Sequence, residues 1–381
     1  MRLPEIIDRL GVRRPAGGAA LGIIVTCSII AVSTLVQGGD ILRGGAAKPN
    51  AKRADAGDQA TAAAAAQARA NAKDVLSRTT QALNAAKAMQ AAARAAASAN
   101  GANNLGPDPN HPGLLLPDVP NGLAVGGLQV EPGGGWSGAS LPTQSGSGGL
   151  VRVTVKQNAP QALLNWQTFN VGRNTHLHFD QSAGGSDVGQ WIAFNKVNDP
   201  SGSPSQILGS ITAPGQVYII NQNGIIFGGT SQVNTHVLVA SSLPINGTYD
   251  GSGRLISDPT KNTLITRGLL NNPDAHFLFS AMAQAAGTKG PTEAFTPPPM
   301  PANGKIGDVT VQAGAQIVAP TTAANVGGRV VLVGANVNNA GTISTPDGQT
   351  IMAAGLQVGF DAHRTSDPSL RGLDVYVGAV R

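Results

Sequence analysis

Short runs in which apolar and polar residues alternate fill the second half of the chain. The run VRVTVK at 151–156 alternates valine with polar residues, the period of a β-strand with one buried face. Between Gln216 and Leu243, β-branched runs are separated by the turn-forming sequences NQNG (221–224) and GGTS (228–231), so we expect strand, turn, strand, turn and strand. The pattern predicts an all-β domain over residues 150–381.

Glycine-led β segments recur near the C-terminal end, starting at Gly307, Gly328 and Gly348. A repeat of about 20 residues is typical of one coil of a solenoid. The regularly spaced leucines and asparagines of a leucine-rich repeat are missing, which leaves a parallel β-helix. Since each coil buries its apolar side chains only against neighbouring coils, we expect a capped N-terminal end and an exposed edge at the other end.

The β pattern is interrupted over residues 246–302, which run into a proline-rich stretch at 289–303. We interpret this segment as an excursion from the coil that contains a hairpin or short strands. Binding residues often lie on such surface insertions.

The N-terminal region has the pattern of an exported protein. In residues 1–53, basic residues precede an uncharged apolar run at 19–36, and small residues follow at 45–47. We expect a signal peptide that is cleaved after export. An uncleaved membrane anchor is the alternative, because the run is about as long as the shortest spanning helices. Cys27, the one cysteine, lies in this run.

Two further segments separate this region from the β domain. Residues 54–100 are dominated by alanine and have neither glycine nor proline from Asp58 onward, which predicts one long α-helix. We interpret it as a spacer, with a partner-binding helix as the alternative. Residues 101–149 are rich in glycine and proline and predict a linker with a candidate cap for the coil.

The charge distribution gives no support for nucleic-acid binding. The formal net charge is +5, and residues 1–53 carry eight basic against three acidic side chains. The remaining 18 basic and 18 acidic residues balance each other. The basic character therefore belongs to the targeting segment.

No catalytic grouping is visible in the sequence. His176 and His178 lie on one side of a predicted strand and are a weak candidate for a metal pair, since only Asp180 is nearby. The aspartates at 180, 187, 199, 308 and 347 stand at turn-like positions beside glycine, serine or proline, or near them, rather than as a paired acid and base. We expect no enzyme activity, no cofactor and no metal.

Five segments resemble the N-terminal secretion domain of filamentous haemagglutinin-type exoproteins, the haemagglutination activity domain family. The resemblance covers about residues 120 to 381. It implies a right-handed parallel β-helix with an N-terminal cap and extra-helical β elements, and it implies two-partner secretion. The segments are NWQTFNVG (165–172), HFDQ (178–181), DPSGSPSQILGSI (199–211), VYIINQNGIIFGGTSQVNTHVLVASSL (217–243) and GGRVVLVGANVNNAGTISTPDGQTIMAAG (327–355).

The resemblance also suggests which residues matter. The family's Asn-Pro-Asn-Gly-Ile turn motif corresponds here to Asn221, Gln222, Asn223, Gly224 and Ile225, which departs at the second residue. Asparagine and glycine remain, so we expect the turn to survive. A second set of candidates is the family-like segment with Asn165, Trp166, Phe169 and Asn170. The family's Asn-Pro-Asn-Leu motif has no clean counterpart.

The function implied by the resemblance is export followed by folding. The unfolded domain would be recognised by the periplasmic domains of an outer-membrane β-barrel transporter of the two-partner type, and it would fold at the cell surface or in the medium of a Gram-negative bacterium. Added strands are one means of recognition.

Two alternatives remain: an adhesin module that binds glycans or a host surface through residues 246–302, and, less favoured, a β-helix enzyme acting on polysaccharide. The sequence ends at Arg381 after a strand-like run, and a fragment, a truncated product and a stand-alone domain all stay open.

Overall fold

The computed structural model describes residues 54–99, 105–108, 113, 115–133, 135–146, 149–249, 255–256, 276–281, 306–323, 325–362 and 372–379. The chain divides into two compact units, residues 1–71 and 72–381. The expected signal peptide or anchor at 1–53, with Cys27, lies outside the described residues, and so does the proline-rich stretch at 289–303.

The alanine-rich segment forms one helix, α1 (Ala54–Ala99), over nearly all of the range predicted for it. Alanine loses no side-chain entropy in a helix, and the composition is nearly free of helix breakers. Leu76, Leu83 and Met89 remain exposed on it. No helix among the described residues is both long enough and apolar enough to cross a membrane.

All other regular structure in the described part is β, apart from a 3₁₀ helix at Ser182–Gln190. The strands up to the excursion are β1 (Leu128–Val130), β2 (Trp136–Ser137), β3 (Thr143–Ser145), β4 (Val151–Lys156), β5 (Gln161–Phe169), β6 (Thr175–Asp180), β7 (Ile192–Val197), β8 (Ser205–Ile207), β9 (Ser210–Ile220), β10 (Ile225–Phe227) and β11 (Gln232–Ser241). The remaining strands are β12 (Ile245–Tyr249), β13 (Leu255–Ile256), β14 (His276–Ser280), β15 (Val309–Val311), β16 (Gln316–Val318), β17 (Arg329–Gly334), β18 (Val337–Asn339), β19 (Thr342–Ser344), β20 (Gln349–Ala354), β21 (Gln357–Ala362) and β22 (Leu373–Ala379).

Successive strands pair in parallel and form three ladders. The first ladder runs β4, β6, β9, β11, β16 and β19, and the second runs β5, β7, β9, β11, β17 and β20. The third runs β8, β10, β15 and β18. The long strands β9 and β11 take part in two ladders because each bends in the middle. One passage of the chain through the three ladders is called a coil below.

The interior of the coils is filled by stacked aliphatic side chains. In the first ladder Val153 pairs with Leu177, Leu177 with Ile211, and Ile211 with Val233, and all four are buried. Their outward neighbours are polar, which produces the alternation seen in the sequence. Each coil thus buries its inward side chains against the coils before and after it.

In the second ladder β17 and the second-ladder parts of β9 and β11 are buried on both faces, unlike the first ladder, whereas the terminal strands β5 and β20 each keep an exposed face. The outward side chains of the second ladder pack against a second sheet of β12, β13, β14, β21 and β22, which supplies Phe277, Phe279 and Phe360. This explains why VVLV at 330–333 is apolar throughout, as expected for a strand covered on both sides. The described strands of the 246–302 excursion therefore belong to a layer that covers the coil.

The two ends of the coil differ. At the N-terminal end, β1 and β2 pair antiparallel with β5, and β3 pairs antiparallel with β4, so the edge of the first coil is covered. At the other end, β18, β19 and β20 each pair on one side only within the described residues. Their free backbone groups leave an open edge there.

Three buried glutamines stack at the corner between the first and second ladders. Gln181 Nε2 donates to Gln157 Oε1 (3.0 Å), to the carbonyl of Trp191 (3.2 Å) and to that of Gln216 (3.4 Å). Its Oε1 accepts a hydrogen bond from the Gly215 N–H (2.8 Å). Gln157 Nε2 in turn donates to the Ile192 carbonyl (3.1 Å) on the next coil, so these amides add hydrogen bonds between neighbouring coils that fix how the coils align.

Replacing Gln181 with leucine is expected to lower the free energy of unfolding by about 2–3 kcal/mol, because Gln157 Oε1 and the Gly215 N–H would lose the hydrogen bonds that they make with the buried amide. Urea denaturation of the purified chain measures this. The matched control is Gln232→Leu, at an exposed site on the first ladder, which should change stability by about 0.5 kcal/mol or less. Equal effects of the two substitutions would contradict a stabilising role for the stack.

Candidate functional site

The segment Asn221–Ile225 forms the tight turn between β9 and β10. The Gly224 N–H donates to the Asn221 carbonyl (3.0 Å), which closes a four-residue turn, and Gly224 has a φ of 108° that disfavours any other residue. Asn221 Oδ1 accepts a hydrogen bond from the Asn223 N–H (3.0 Å), as asparagines in turns commonly do. Gln222 is exposed, in the place of the family's proline.

The side chains of this turn are anchored in the fold. Asn221 Nδ2 donates to Ser205 Oγ (2.9 Å) and Asn223 Nδ2 donates to the Asp199 carbonyl (2.9 Å), both on the preceding coil. Asn221, Asn223 and Ile225 are buried. The asparagines therefore connect two coils in addition to closing the turn.

The same turn receives the chain when it returns from the excursion. The Gly307 N–H donates to the Gln222 carbonyl (2.9 Å), and the Ile225 N–H donates to the Asp308 carbonyl (3.0 Å). A Cβ on Gly307 would lie 2.2 Å from the carbonyl atoms of Asn223, so only glycine permits this approach. The turn is thus a junction between the coil before the excursion and the coil after it.

The second predicted segment, in β5, joins the cap to the first coil. The Trp166 indole is fully buried and donates to Asn195 Oδ1 (2.9 Å) on the next coil. Its ring meets those of Trp136, on β2, and Phe169 edge-on, at centroid distances of 5.1 and 5.4 Å. Such pairs stabilise by about 1 kcal/mol each beyond their buried area.

Asn170 completes this connection with both ends of its amide. Nδ2 donates to the Gly126 carbonyl (3.0 Å) in the cap, and Oδ1 accepts from the Gln206 N–H (2.7 Å) on β8. Asn165 makes backbone hydrogen bonds with Gly135 and Glu131, both in the same cap. The four residues predicted in this segment therefore lie together at the contact between cap and coil. Asn221 and Asn223 lie elsewhere, two coils further on.

The two histidines considered for a metal pair bind a threonine instead. His176 Nε2 and His178 Nδ1 lie 2.8 and 2.9 Å from the same atom, Thr212 Oγ1, and Arg152 lies 3.3 Å from His176 Nδ1. Since arginine can only donate, His176 Nδ1 accepts, Nε2–H donates to Thr212, and the threonine hydroxyl donates to His178. The positive charge of Arg152 disfavours a metal ion at this place, and on each ring at least one nitrogen is already engaged in a hydrogen bond.

The aspartates expected at turn-like positions are only partly found there, because Asp180 is the last residue of β6 and Asp187 lies in the 3₁₀ helix. Asp180 and Asp199 accept hydrogen bonds from the N–H groups of Ser182 (3.1 Å) and Ser201 (2.8 Å). Hydrogen bonds from Ser182 are the main cause that lowers the pKa of Asp180. Within the described residues, no three side chains of His, Cys, Asp or Glu come close enough to hold a metal ion.

Sequence reasoning missed the glutamine stack and Asn195. Gln157 and Gln181 each follow the last residue of a first-ladder strand, Lys156 and Asp180, which are paired with each other. Gln157 and Gln181 thus occupy equivalent positions on two successive coils, and this recurrence in the sequence could have identified two of the three glutamines. Asn195 lies inside an apolar run, and its partners Trp166 and Tyr218 are on neighbouring coils.

Acidification is expected to destabilise the chain through the histidine pair. Burial is the main cause that lowers the pKa values of His176 and His178, with a further contribution from Arg152. The unfolded chain then takes up protons first, near the ordinary imidazole pKa of 6.5, and stability falls as pH falls below that value. The urea midpoint should therefore decrease between about pH 7.5 and about pH 5.5.

The double variant H176Q/H178Q should show a smaller decrease of the midpoint over the same pH range. Part of the decrease should remain, because burial also lowers the pKa of His236, whose ring hydrogen-bonds the Pro320 carbonyl. A decrease identical to that of the unmodified chain would show that the pair does not carry the effect.

Comparison with known proteins identifies the family. The model of the TPS secretion domain matches residues 139–371. Two heme/hemopexin-binding proteins of Haemophilus influenzae are 33% and 32% identical over 91 residues, which are 24% of this chain and 9% of each relative. A crystal structure of the HMW1 secretion domain from Haemophilus influenzae matches with 19% identity and a TM-score of 0.38, covering 65% of this chain and 50% of that chain.

The names of these two relatives describe binding proteins. The matched region spans only a small part of their length. The family match begins within the cap, after β2, continues through the ladders and includes both predicted segments. The chain therefore belongs to the TPS secretion domain family, the secretion domains of two-partner secretion exoproteins.

Proposed function

We propose that this chain directs its own export across the outer membrane of a Gram-negative bacterium through a two-partner β-barrel transporter and starts β-helix folding on the far side. Proteins with this domain are secreted across that membrane. The observation that carries the proposal is the family match over residues 139–371. The three parallel ladders agree with a right-handed parallel β-helix as the folded product.

The unequal ends of the coil support a direction of folding. The cap covers the first coil through Trp166 and Asn170, whereas β18, β19 and β20 keep an open edge. In a solenoid a new coil gains its contacts from the coil already formed. The capped end is thus the place where folding starts, and later coils add to its open side.

Recognition by the transporter requires an unfolded chain, whose backbone groups are free. An extended segment can add as a strand to a sheet in the periplasmic domains of the transporter. The near-neutral charge outside residues 1–53 argues against attraction by charge alone. In the folded product most of these backbone groups are paired within the ladders, with the open edge of β18, β19 and β20 as the exception, so folding competes with transporter binding.

The 246–302 excursion gives the adhesin alternative less support. Its described strand β14 is a central strand of the second sheet, and Phe277 and Phe279 are buried against the second ladder. The heme/hemopexin binding in the names of the two relatives belongs to those much longer proteins. Export remains the function that the family match supports best.

Replacing Gly224 with valine is expected to reduce secretion at least tenfold while synthesis continues. A φ of 108° is strongly unfavourable for a β-branched residue, so the junction at Asn221–Ile225 would not close. The measurement is the ratio of secreted to cell-associated chain in a strain that expresses the transporter. Gln222→Val, at an exposed position of the same turn, is the control and should secrete normally. Equal secretion of the two variants would contradict a role for the turn.

Binding to the transporter is expected to depend on the unfolded state. Chain held unfolded in dilute urea should bind the isolated periplasmic domains of its transporter, and refolded chain should bind at least tenfold more weakly, because its backbone groups are paired. Fluorescence anisotropy of the labelled chain measures both affinities. Equal affinity of the two forms, or no binding by soluble unfolded chain, would refute the proposed recognition.

A further inference from the structure

The end of helix α1 is fastened to the coils by two side chains. Arg94 donates from Nη1 to the carbonyls of Gly314 (2.9 Å) and Ser231 (3.3 Å), and from Nη2 to that of Thr230 (2.8 Å). Gln90 donates to the Ala340 carbonyl (2.8 Å) and accepts from the Gly314 N–H (2.9 Å). All of these hydrogen bonds join a side chain of the helix to a backbone group of the coils.

The contacted groups lie at one corner of three successive coils. Residues 228–231 connect β10 to β11, residues 312–315 connect β15 to β16, and residues 340–341 connect β18 to β19. The helix therefore crosses the corner between the third and first ladders. Gln90, one turn before Arg94, contacts later coils than Arg94 does. From Arg94 towards Gln90 the helix therefore runs in the direction in which coils are added.

The excursion separates the first of these corners from the second. The chain leaves the coil after β11 and returns at β15, so Ser231 and Gly314 lie on opposite sides of it. Arg94 binds carbonyls of both residues with one guanidinium group. Its planar fork of five N–H donors suits such bridging better than any other side chain.

Gly314 provides the space that the helix needs. Its φ is 92°, and a Cβ there would lie 2.8 Å from the backbone N and Cα of Arg94. The helix backbone thus rests directly on this corner. Burial lowers the pKa of Arg94, so the guanidinium has lost hydration that the three carbonyls replace.

The earlier part of the helix within the same unit makes a different set of contacts. Residues 72–81 and 83–89 are exposed, and Arg78 pairs with Asp74 (2.7 Å) within the helix. A solvated spacer would be expected to look like this along its whole length. The contacts of Gln90 and Arg94 are therefore a specific feature of the last turns of α1.

We propose that residues 90–94 form an intramolecular clamp, which docks when three coil corners have come together and holds the coils that follow the excursion against those that precede it. In the unfolded chain these corners are far apart, and closing the excursion costs conformational entropy that grows with the logarithm of its length. The clamp adds contacts that exist only after closure. It opposes the separation of the later coils. This role concerns the folded chain and does not rest on the proposed route of export.

The clamp is tested by hydrogen exchange of the full chain with the double variant Q90A/R94A. Amide exchange in β15, β16, β18 and β19 should become at least tenfold faster, while β4 to β7 should keep their rates. The matched control R78A/Q81A replaces the same residue types on the exposed part of the helix and should leave all rates unchanged. Equal exchange of the two variants in the later coils would overturn the proposal.

Trypsin cleavage of the unmodified chain provides a second test that does not depend on a variant. Cleavage after Arg94 should be at least tenfold slower than cleavage after Arg78, because both bonds are helical but only Arg94 is docked. In Q90A/R94K, which retains a cleavable residue but loses the bridging fork, cleavage after position 94 should approach the rate at Arg78. Equal cleavage after Arg78 and Arg94 in the unmodified chain would show that the helix end is not held.

Discussion

The fold depends on the pairing of buried polar groups between one coil and the next. An aliphatic interior alone would permit a shift of two residues between coils, because such a shift returns valine and isoleucine to the same face. The amide of Gln181 does not tolerate it, since its partners on Gln157, Trp191 and Gly215 lie at fixed heights. Asn195 imposes the same condition on the second ladder through Trp166 and Tyr218. Apolar stacking thus supplies the driving force for coiling, and the buried amides determine its register.

Much of the architecture follows from local pattern. The alternation in VRVTVK, the turn NQNG and the recurring glycines at 328 and 348 predict strands, turns and coil length, because each reflects a constraint between residues close in sequence. The docking of α1 could not be predicted in this way. Arg94 binds carbonyls more than a hundred residues away, and nothing in an alanine-rich helix marks which arginine does so. The same holds for the turn at Asn221, whose sequence indicates a turn but not the return of the chain at Gly307.

The second ladder shows why hydrophobic pattern alone leaves the layers undefined. Its inner strands, such as β17, are apolar on both faces, and this pattern predicts that another layer covers them without identifying that layer. The cover is a sheet assembled from the excursion and the last described strands, so residues far apart in sequence share one core around Phe279 and Phe360. The excursion, which the sequence predicts to contain a hairpin or short strands, contributes β12, β13 and β14 to this sheet, and its other segments lie outside the described residues.

The direct pairing of β11 with β16 and β17 has a consequence for how this chain can vary. β11 precedes the excursion, whereas β16 and β17 follow it, and the strands still pair in register. The pairing in both ladders is therefore independent of how many residues the excursion contains. Doubling a loop of this kind costs only about 0.6 kcal/mol in closure entropy. Provided that β12, β13 and β14 are kept, insertions and deletions in the remaining residues between β11 and β15 should be nearly neutral for the fold. The excursion is accordingly the position at which mutation can diversify the surface without disturbing the coil.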